Sequence, residues 1–380
     1  MTPLPVYLDI LSGHLASEDY NLPRHWHEHD WQRYLDLAQN HGVLPLVQDR
    51  LLNANHTVQS PPSIRSAIEQ GLKNQAILEI LQTLELQRVL GAFNKNNTPV
   101  LVFKGGALAH SHYPEAKLRP RDDTDLLIGQ SNREQSAEIL EVLGYSAQNT
   151  ISGRRIMHQC NYSYTDQQGC PHVVDLHWRL SNPTAFSELL DFESLWQRSV
   201  LIPVLGQGAR CPTQVDALLI ACIHRLAHHH NNHRLIWLMD IHLLLTALSK
   251  SESLEFARRA REIGVAAICT QGLKLSRDYF NTKLSPALLK ILSQTEATKV
   301  SKAESHTRKY LNKDRSHWDN YIDDLRALPH WRARVAYLHE TLFPDADYLL
   351  GRYNTRHRIL LPILYLYRLL RGFLRLLQKR

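Results

Sequence analysis

The sequence predicts a mixed α/β (α+β) fold, in which a small mixed-sheet core is embedded in a mostly helical protein. Residues 1–95 and the chain beyond about residue 185 show helical periodicity, whereas the segment between them alternates short apolar runs with helical stretches. Strand, helix, strand, helix and hairpin within about eighty residues are typical of a compact α/β unit. We therefore expect one small sheet surrounded by helices.

Residues 1–95 are expected to form an N-terminal helical region. The first clear helix has apolar residues at the i, i+3, i+4 and i+7 positions, which lie on one face: Trp31, Tyr34, Leu35 and Ala38. Gly42 and Pro45 then mark the end of one helix and the start of the next. A longer amphipathic run, rich in Leu, Gln and Glu, follows from residue 64 to residue 93.

The sheet is expected within residues 96–182. Residues 98–104 are β-branched and apolar, and two glycines lead from them into a helix. A second strand is predicted at 125–128, and a hairpin is predicted from the runs 161–164 and 172–177.

The remainder of the chain is predicted to be helical. Residues 183–300 are expected to form a helical domain that closes a cleft over the sheet. Residues 301–380 are expected to form a C-terminal helical region that ends in a basic amphipathic tail.

The positive charge of the chain is concentrated in that tail. The 380 residues include 44 Lys and Arg against 37 Asp and Glu, a net charge of +7. Residues 352–380 hold eight of these bases and no acid, so the rest of the chain has 36 bases against 37 acids and a net charge of −1. The body has no net attraction for polyanions, and nucleic acid is not expected as a partner.

Cysteine usage and the N-terminal residues predict a cytoplasmic protein. The five cysteines are odd in number, scattered and without a C-x-x-C pair, which indicates reduced thiols and not a disulfide framework or a zinc site. The first twenty residues lack a basic segment followed by an apolar run, so we expect no secretory signal.

Two short motifs carry the predicted chemistry. Gly105 and Gly106 follow an apolar strand and allow backbone N–H groups to approach phosphate oxygens at a helix N-terminus. Asp123 and Asp125 precede the apolar run of the next strand. Because residues two apart on a strand point to one face, both carboxylates are placed to hold paired Mg²⁺ ions, or Mn²⁺ in their place.

Three further residues complete this predicted site. Asp175 lies within an otherwise apolar strand and is the best candidate for a third metal-binding carboxylate, with a role in deprotonating the acceptor. Lys104 and Arg119 are expected to neutralise phosphate charge. The predicted substrate is a nucleoside triphosphate (NTP), with Asp123, Asp125 and Asp175 as catalytic residues and metal ligands.

These motifs resemble an uncharacterised bacterial nucleotidyltransferase family with a polymerase-β-like core. The likeness rests on residues 104–108 (KGGAL), Tyr113-Pro114, residues 118–128 (LRPRDDTDLLI) and residues 174–180 (VDLHWRL), with further similarity in the helical leader and in the helical half around residues 224–240. The resemblance implies a Mg²⁺-dependent nucleotidyltransferase with these three aspartates as ligands. It also implies an unidentified acceptor, a small molecule, sugar or peptide, in polysaccharide or modified-peptide biosynthesis.

Two positions depart from the pattern of that family and leave an alternative open. Asp122 stands where the family usually has a small residue, and Thr124 where it usually has an aliphatic one. Asp122 is interpreted as a surface or turn residue. A third carboxylate crowded beside the pair would disturb metal placement, so the alternative is a catalytically weak NTP-binding regulatory module.

A histidine cluster and the basic tail each have two interpretations. His224 and His228 have the i, i+4 spacing of zinc ligands, but an H-E-x-x-H pattern is missing, so we favour a helix end with several partly exposed histidines. The alternative is that His224 or His228, together with Arg234, lines the nucleotide cleft. In residues 352–380, a basic stripe borders an apolar face. This segment packs on the body of the protein, holds an anionic acceptor or makes a peripheral membrane contact. A transmembrane helix is not expected, because the apolar stretch 359–367 has only nine residues.

Overall fold

A computed structural model describes residues 4–17, 20–53, 60–148, 157–227, 234–293, 302–312, 317–328 and 330–377. The architecture is mixed α/β, as the sequence predicts, with helices on both faces of one sheet. The seven described strands form this sheet in the order β3-β4-β5-β2-β1-β7-β6. Their bounds are β1 Val100–Val102, β2 Thr124–Ile128, β3 Ser146–Ala147, β4 Gln159–Thr165, β5 Pro171–His177, β6 Val200–Leu201 and β7 Arg210–Cys211.

The sheet is mixed in direction. Strand β2 pairs in parallel with β5, and β1 pairs in parallel with β7, while the other neighbours are antiparallel. Strands β4 and β5 form the predicted hairpin.

Helices before and within the sheet follow the predicted order. Their bounds are α1 Leu4–Ala16, α2 Glu28–Asn40, α3 Leu44–Asn53, α4 Pro62–Lys95, α5 Lys104–Ser111 and α6 Arg133–Val142, with short 3₁₀ turns at Ala116–Leu118 and Gln130–Asn132.

The chain after the hairpin is mostly helical. The helices are α7 Thr184–Ser187, α8 Phe192–Arg198, α9 Gln214–Ala227, α10 Leu235–Ala247, α11 Lys250–Glu262, α12 Ala266–Phe280, α13 Pro286–Ser293, α14 Lys302–Arg308, α15 His317–Ala327, α16 Trp331–Leu342, α17 Ala346–Arg352 and α18 Leu361–Leu377. Further 3₁₀ turns lie at Pro203–Leu205, Lys309–Leu311 and Arg358–Leu360.

The prediction of helical structure beyond residue 185 is wrong at β6 and β7. These two-residue strands pair with each other, and β7 also extends the sheet at the edge of β1. Strands this short contain no alternation of apolar and polar residues that could have predicted them.

The two faces of the sheet pack against different helices. Leu101 and Leu127 belong to a large apolar cluster shared with the N-terminal helices and with α9 to α13. Their neighbours Val102 and Leu126 belong to a second cluster with α4 and α6. Successive side chains alternate between the faces, so Asp125, two residues before Leu127, lies on the face toward the large helical cluster.

The N-terminal region docks directly onto the helical half of the chain. The backbone N–H of Ile236 donates to the carbonyl of His41 over 3.1 Å, and Nε of Arg234 donates to the carbonyl of Asn40 over 3.2 Å. Gly42 follows with φ of +71°, and a Cβ there would lie 3.1 Å from the Ile236 side chain. Glycine therefore allows both the left-handed turn and the close approach at this junction.

Candidate active site

Two of the predicted carboxylates lie side by side on neighbouring strands. Asp125 and Asp175 are paired directly in the parallel register of β2 and β5, and both are buried. Asp123 lies one residue before β2 and is exposed, whereas Asp125 lies within the strand, which begins one residue earlier than the predicted 125–128. Asp122 lies in the same exposed bend, as its interpretation as a turn residue requires.

His177 is a fourth member of this group, and the sequence interpretation did not select it as a site residue. Its Nε2 lies 3.0 Å from Oδ1 of Asp125 and 3.2 Å from Oδ2 of Asp175. The signal was present in the sequence, because His177 follows Asp175 by two residues on one strand and shares its face. The ring is completely buried and meets Phe103 edge-on, with the ring centroids 5.1 Å apart.

Lys104 completes the charged cluster. Its Nζ lies 2.6 Å from Oδ1 of Asp125 and 3.4 Å from Nε2 of His177. The backbone of Lys104 has φ of +52°, a left-handed conformation that costs a residue with a Cβ about 1 kcal/mol or more. Lys104 is the first residue of α5, and its side chain contacts Asp125 on β2.

The surrounding charges shift the pKa values of this group. Burial alone would raise the pKa of Asp125, but the Lys104 ammonium and the hydrogen bond with His177 hold it far below its usual range. Asp123 is accessible to solvent but surrounded by the walls of the cavity. The resulting loss of solvation, followed by the charges of Asp125 and Asp175, raises the pKa of Asp123 to about 6. Burial and Lys104 oppose protonation of His177, yet the two carboxylates raise its pKa above the ordinary value.

The donor set fits a divalent cation. Asp125, Asp175 and His177 each offer a ligand atom, and these atoms lie within 4.8 Å of one another. Oδ2 of Asp175 accepts a hydrogen bond of 2.7 Å from Nε2 of Gln159. The other oxygen, Oδ1, is buried and has no hydrogen-bond partner among the described residues. A buried carboxylate oxygen without a donor is costly, and a bound cation would satisfy it.

The glycine pair allows close packing at the start of α5. A Cβ at Gly105 would lie 3.1 Å from Nη2 of Arg119, and a Cβ at Gly106 would lie 3.3 Å from the Val102 side chain. Backbone N–H groups in the first turn of a helix lack intrahelical carbonyl partners. The start of α5 therefore provides donors close to the carboxylates.

Arg119, a predicted phosphate ligand, is held by the helical half of the chain. Its Nε and Nη2 donate to the two carboxylate oxygens of Asp240 over 2.8 and 2.9 Å, and Nη1 donates to the carbonyl of Pro120. The hydroxyl of Tyr113 donates to Asp240 as well, over 2.7 Å. The guanidinium lines the cleft beside Gly105, and its role toward phosphate stays a prediction.

A second buried ion pair holds the segment that precedes the aspartates. Nη1 of Arg121 contacts both carboxylate oxygens of Glu79 on α4, at 2.8 and 2.6 Å. Burial would raise the pKa of Glu79, but His110 and Arg121 lower it below its usual range. This pair, which the sequence interpretation missed, fixes the bend before β2 to the long helix.

A cavity of about 710 Å³ brings most of the predicted residues together. The predicted site residues that line it are Lys104, Gly105, Arg119, Asp123, Asp125, Asp175, His224 and Arg234. Gly106 packs behind this surface, against Val102. His224 lies edge-on to Trp237, with ring centroids 6.2 Å apart, whereas His228, His229, His230 and His233 lie outside the described residues.

Comparison with known protein families assigns the chain to a family. The model of a protein family described as "uncharacterised nucleotidyltransferase" matches residues 27–281, more than half of the chain. The chain belongs to this family. It is therefore an enzyme of the nucleotidyltransferase class, and nucleotidyl transfer is its general activity.

Curated proteins provide no match to the chain. Among solved structures, the chain is similar to the solution structure of the antibiotic-resistance factor ANT(2'')-Ia, with 14% sequence identity and a TM-score of 0.35. The alignment covers 53% of this chain and 99% of that protein.

Proposed function

We propose that this family member uses Mg²⁺, or Mn²⁺, to transfer a nucleotidyl group from an NTP to a hydroxyl or phosphate acceptor. The single observation that carries the proposal is the direct pairing of Asp125 and Asp175, with one buried oxygen of Asp175 left without a donor. Such oxygens are the ligands that hard divalent cations prefer.

Each residue of the cluster has a role in this proposal. Asp123, Asp125 and Asp175 would hold the metal ions, which when bound neutralise phosphate charge and favour deprotonation of the acceptor. Lys104 and the N-terminus of α5 bind the triphosphate. His177 orients the two carboxylates that it contacts, since Mg²⁺ prefers oxygen to nitrogen ligands.

The reaction is an in-line displacement at the α-phosphorus. The acceptor oxygen forms a new bond to this phosphorus while the bond from phosphorus to the α,β-bridging oxygen breaks. The acceptor proton passes to the carboxylate of Asp175, and pyrophosphate leaves with the electron pair of the broken bond.

Substitution of one carboxylate tests the proposal. Asp125→Asn keeps the shape of the side chain but removes a charged metal ligand, so we expect Mg²⁺-dependent release of pyrophosphate to be lost while circular dichroism is unchanged. Asp278→Asn is the matched control, because Asp278 is exposed on α12 and pairs with its neighbour Arg277. Full activity in Asp125→Asn would overturn the assignment.

A catalytically weak NTP-binding regulatory module is the second candidate. One observation favours it. Oδ1 of Asp125 already contacts both Nζ of Lys104 and Nε2 of His177. Calorimetry that detects Mg²⁺-dependent NTP binding, together with no labelled product from a cell extract supplied as acceptor pool, would favour this candidate over the enzyme.

A peripheral membrane contact through the C-terminal helix is a further proposal. Within the described part of the chain, none of the helices combines the length and hydropathy that crossing a membrane requires. However, the start of α18 and the turn before it present a stripe of apolar side chains, each at least half exposed: Ile359, Ile363, Leu366, Tyr367 and Leu370. Exposed Arg356, Arg358 and Arg371 border this stripe, which suits an anionic lipid surface.

Vesicle flotation tests this contact. We expect the protein to float with phosphatidylglycerol vesicles and the variant Leu366→Gln/Leu370→Gln to remain in the lower fraction. Ile77→Gln/Ile80→Gln is the control, because these residues on α4 are equally exposed and lie outside the tail. Equal flotation of the two variants would exclude the stripe as the lipid-binding surface. If the wild type formed a dimer and the tail variant did not, the stripe would be assigned to contact with a second copy of the chain.

A further inference from the structure

The walls of the cavity differ in chemistry. One wall comes from the sheet, α5 and the segment 119–123 that precedes β2, and it carries the carboxylates, Lys104 and Arg119. A second wall, from α9 and α10, includes Ile220, Ala221 and Trp237 and is largely apolar, as a nucleobase requires. The third wall comes from α2 to α4, and we call it the amide wall because its polar side chains are Gln39, Gln48, Asn74 and Gln75.

The amide wall is electrically neutral. Among the described residues, every cavity-lining residue that α2, α3, α4 and the α2–α3 turn contribute is uncharged. An acceptor with several ammonium groups would find no carboxylate on this wall. The Arg234 guanidinium lies at its edge, beside Gly42, and already donates to the carbonyl of Asn40. Charged groups placed against neutral amides lose water without gaining an ionic partner.

The geometry of this wall is built by a close contact between α3 and α4. Gln48 is buried, and its Nε2 would lie 2.5 Å from a Cβ at Gly71, so glycine is needed for the amide to lie against α4. Gln75 follows Gly71 by four residues and therefore lies on the same face of that helix. Its Nε2 is buried and has no hydrogen-bond partner among the described residues, which leaves a donor for a molecule in the cavity.

We propose that the amide wall binds the acceptor, and that the acceptor is a neutral polyhydroxylated molecule of the saccharide class. This inference rests on the proposed nucleotidyl transfer. Each amide side chain both donates and accepts hydrogen bonds, and a sugar hydroxyl does the same. A row of amides opposite the metal-binding carboxylates therefore orients one hydroxyl toward the α-phosphorus and binds its neighbours.

The experiment measures transfer of radiolabel from α-³²P-labelled NTPs in the presence of Mg²⁺. The neutral acceptors are glucose, maltose, trehalose and inositol, the polycationic acceptor is kanamycin, and the anionic acceptor is glucose 1-phosphate. We expect label on a neutral acceptor. Label found only on kanamycin or on glucose 1-phosphate would overturn the inference and leave nucleotidyl transfer intact.

Two leucine variants locate the acceptor. Gln75→Leu and Gln48→Leu keep side-chain volume and remove the amide, so we expect kcat/KM for the saccharide to fall about tenfold and the Kd for NTP to stay within about twofold. Gln32→Leu is the control, because Gln32 is exposed on α2 and bonds to Asp36. If the Kd for NTP also rose about tenfold, the amide wall would be assigned to the nucleotide, and the inference would be overturned.

The outcomes separate the two proposals. If NTP binds with Mg²⁺ but no acceptor of the set gains label, the saccharide assignment fails and the regulatory module is favoured. If no NTP binds in the presence of Mg²⁺, the proposed function fails as well.

Discussion

The ion pair between Arg119 and Asp240 is expected to hold the sheet and the helical half of the chain together. Both residues are buried, and the carboxylate of Asp240 accepts three hydrogen bonds, two from Arg119 and one from Tyr113. Burial would lower the pKa of Arg119, but the Asp240 carboxylate outweighs it and raises this pKa above its ordinary value. The Arg119 guanidinium is therefore charged at neutral pH.

Removal of one partner is expected to cost more than removal of both. Arg119→Met leaves the carboxylate buried with Tyr113 alone, which should lower the free energy of unfolding by about 3–5 kcal/mol. Tyr113→Phe removes one hydrogen bond to a charged group and should cost about 1.5–3 kcal/mol. In Arg119→Met/Asp240→Leu no charge remains unpaired, but the buried Tyr113 hydroxyl loses its acceptor, so we expect a loss of about 1–3 kcal/mol.

Urea unfolding measures these differences. Tryptophan fluorescence and circular dichroism should be recorded together, because a chain of this size can unfold in more than one step. The reasoning is refuted if Arg119→Met costs less than about 1 kcal/mol, or if the double variant loses the sum of the two single losses.

Three further predictions concern buried groups and the metal. Burial lowers the pKa of His14 and His158 to about 4, so the unfolded chain binds more protons below pH 6.5. Each histidine should lower the stability by about 3 kcal/mol as the pH drops from 6.5 to 4, while the raised pKa of Asp123 acts in the opposite direction over the same range. The histidine contribution is therefore measured as the difference in pH dependence of the urea midpoint between the wild type and His14→Gln/His158→Gln, and an equal pH dependence in both would contradict this. Gly105→Ala places a methyl group against Arg119 and should weaken NTP binding in calorimetry, whereas Gly91→Ala, which meets no atom within 4 Å, should stabilise α4 by about 1 kcal/mol. Chelation of divalent cations should abolish transfer, and Mg²⁺ or Mn²⁺ should restore it; activity that persists in EDTA would exclude a metal mechanism.

Local pattern predicted the strands that carry the site, because alternation and apolar runs report burial of a single segment. Strand β2 and the hairpin β4–β5 were predicted in this way, and Asp175 was selected from its polar place in an apolar strand. The direct pairing of Asp125 with Asp175 depends on which strands become neighbours in the sheet. Sequence periodicity does not contain that information.

Contacts between distant segments were beyond prediction from periodicity. The partner of Arg119 lies 121 residues away on α10, and the sequence around either residue carries no signal of the other. In the sequence, the amide side chains of the amide wall have the pattern of ordinary polar positions on amphipathic helices. Their shared place in one cavity follows only from the packing of α2, α3 and α4.

The junction between the N-terminal region and α10 has a consequence for ligand discovery. Residues 194 apart in sequence meet where Arg234 contacts Asn40, and the cavity opens between the segments that they join. A molecule that fills the cavity contacts both of these segments. At a free concentration one hundred times its Kd, it raises the free energy of unfolding by about 2.7 kcal/mol. A thermal-shift screen of nucleotides and saccharides, alone and in pairs, can therefore detect both substrates before any product has been observed.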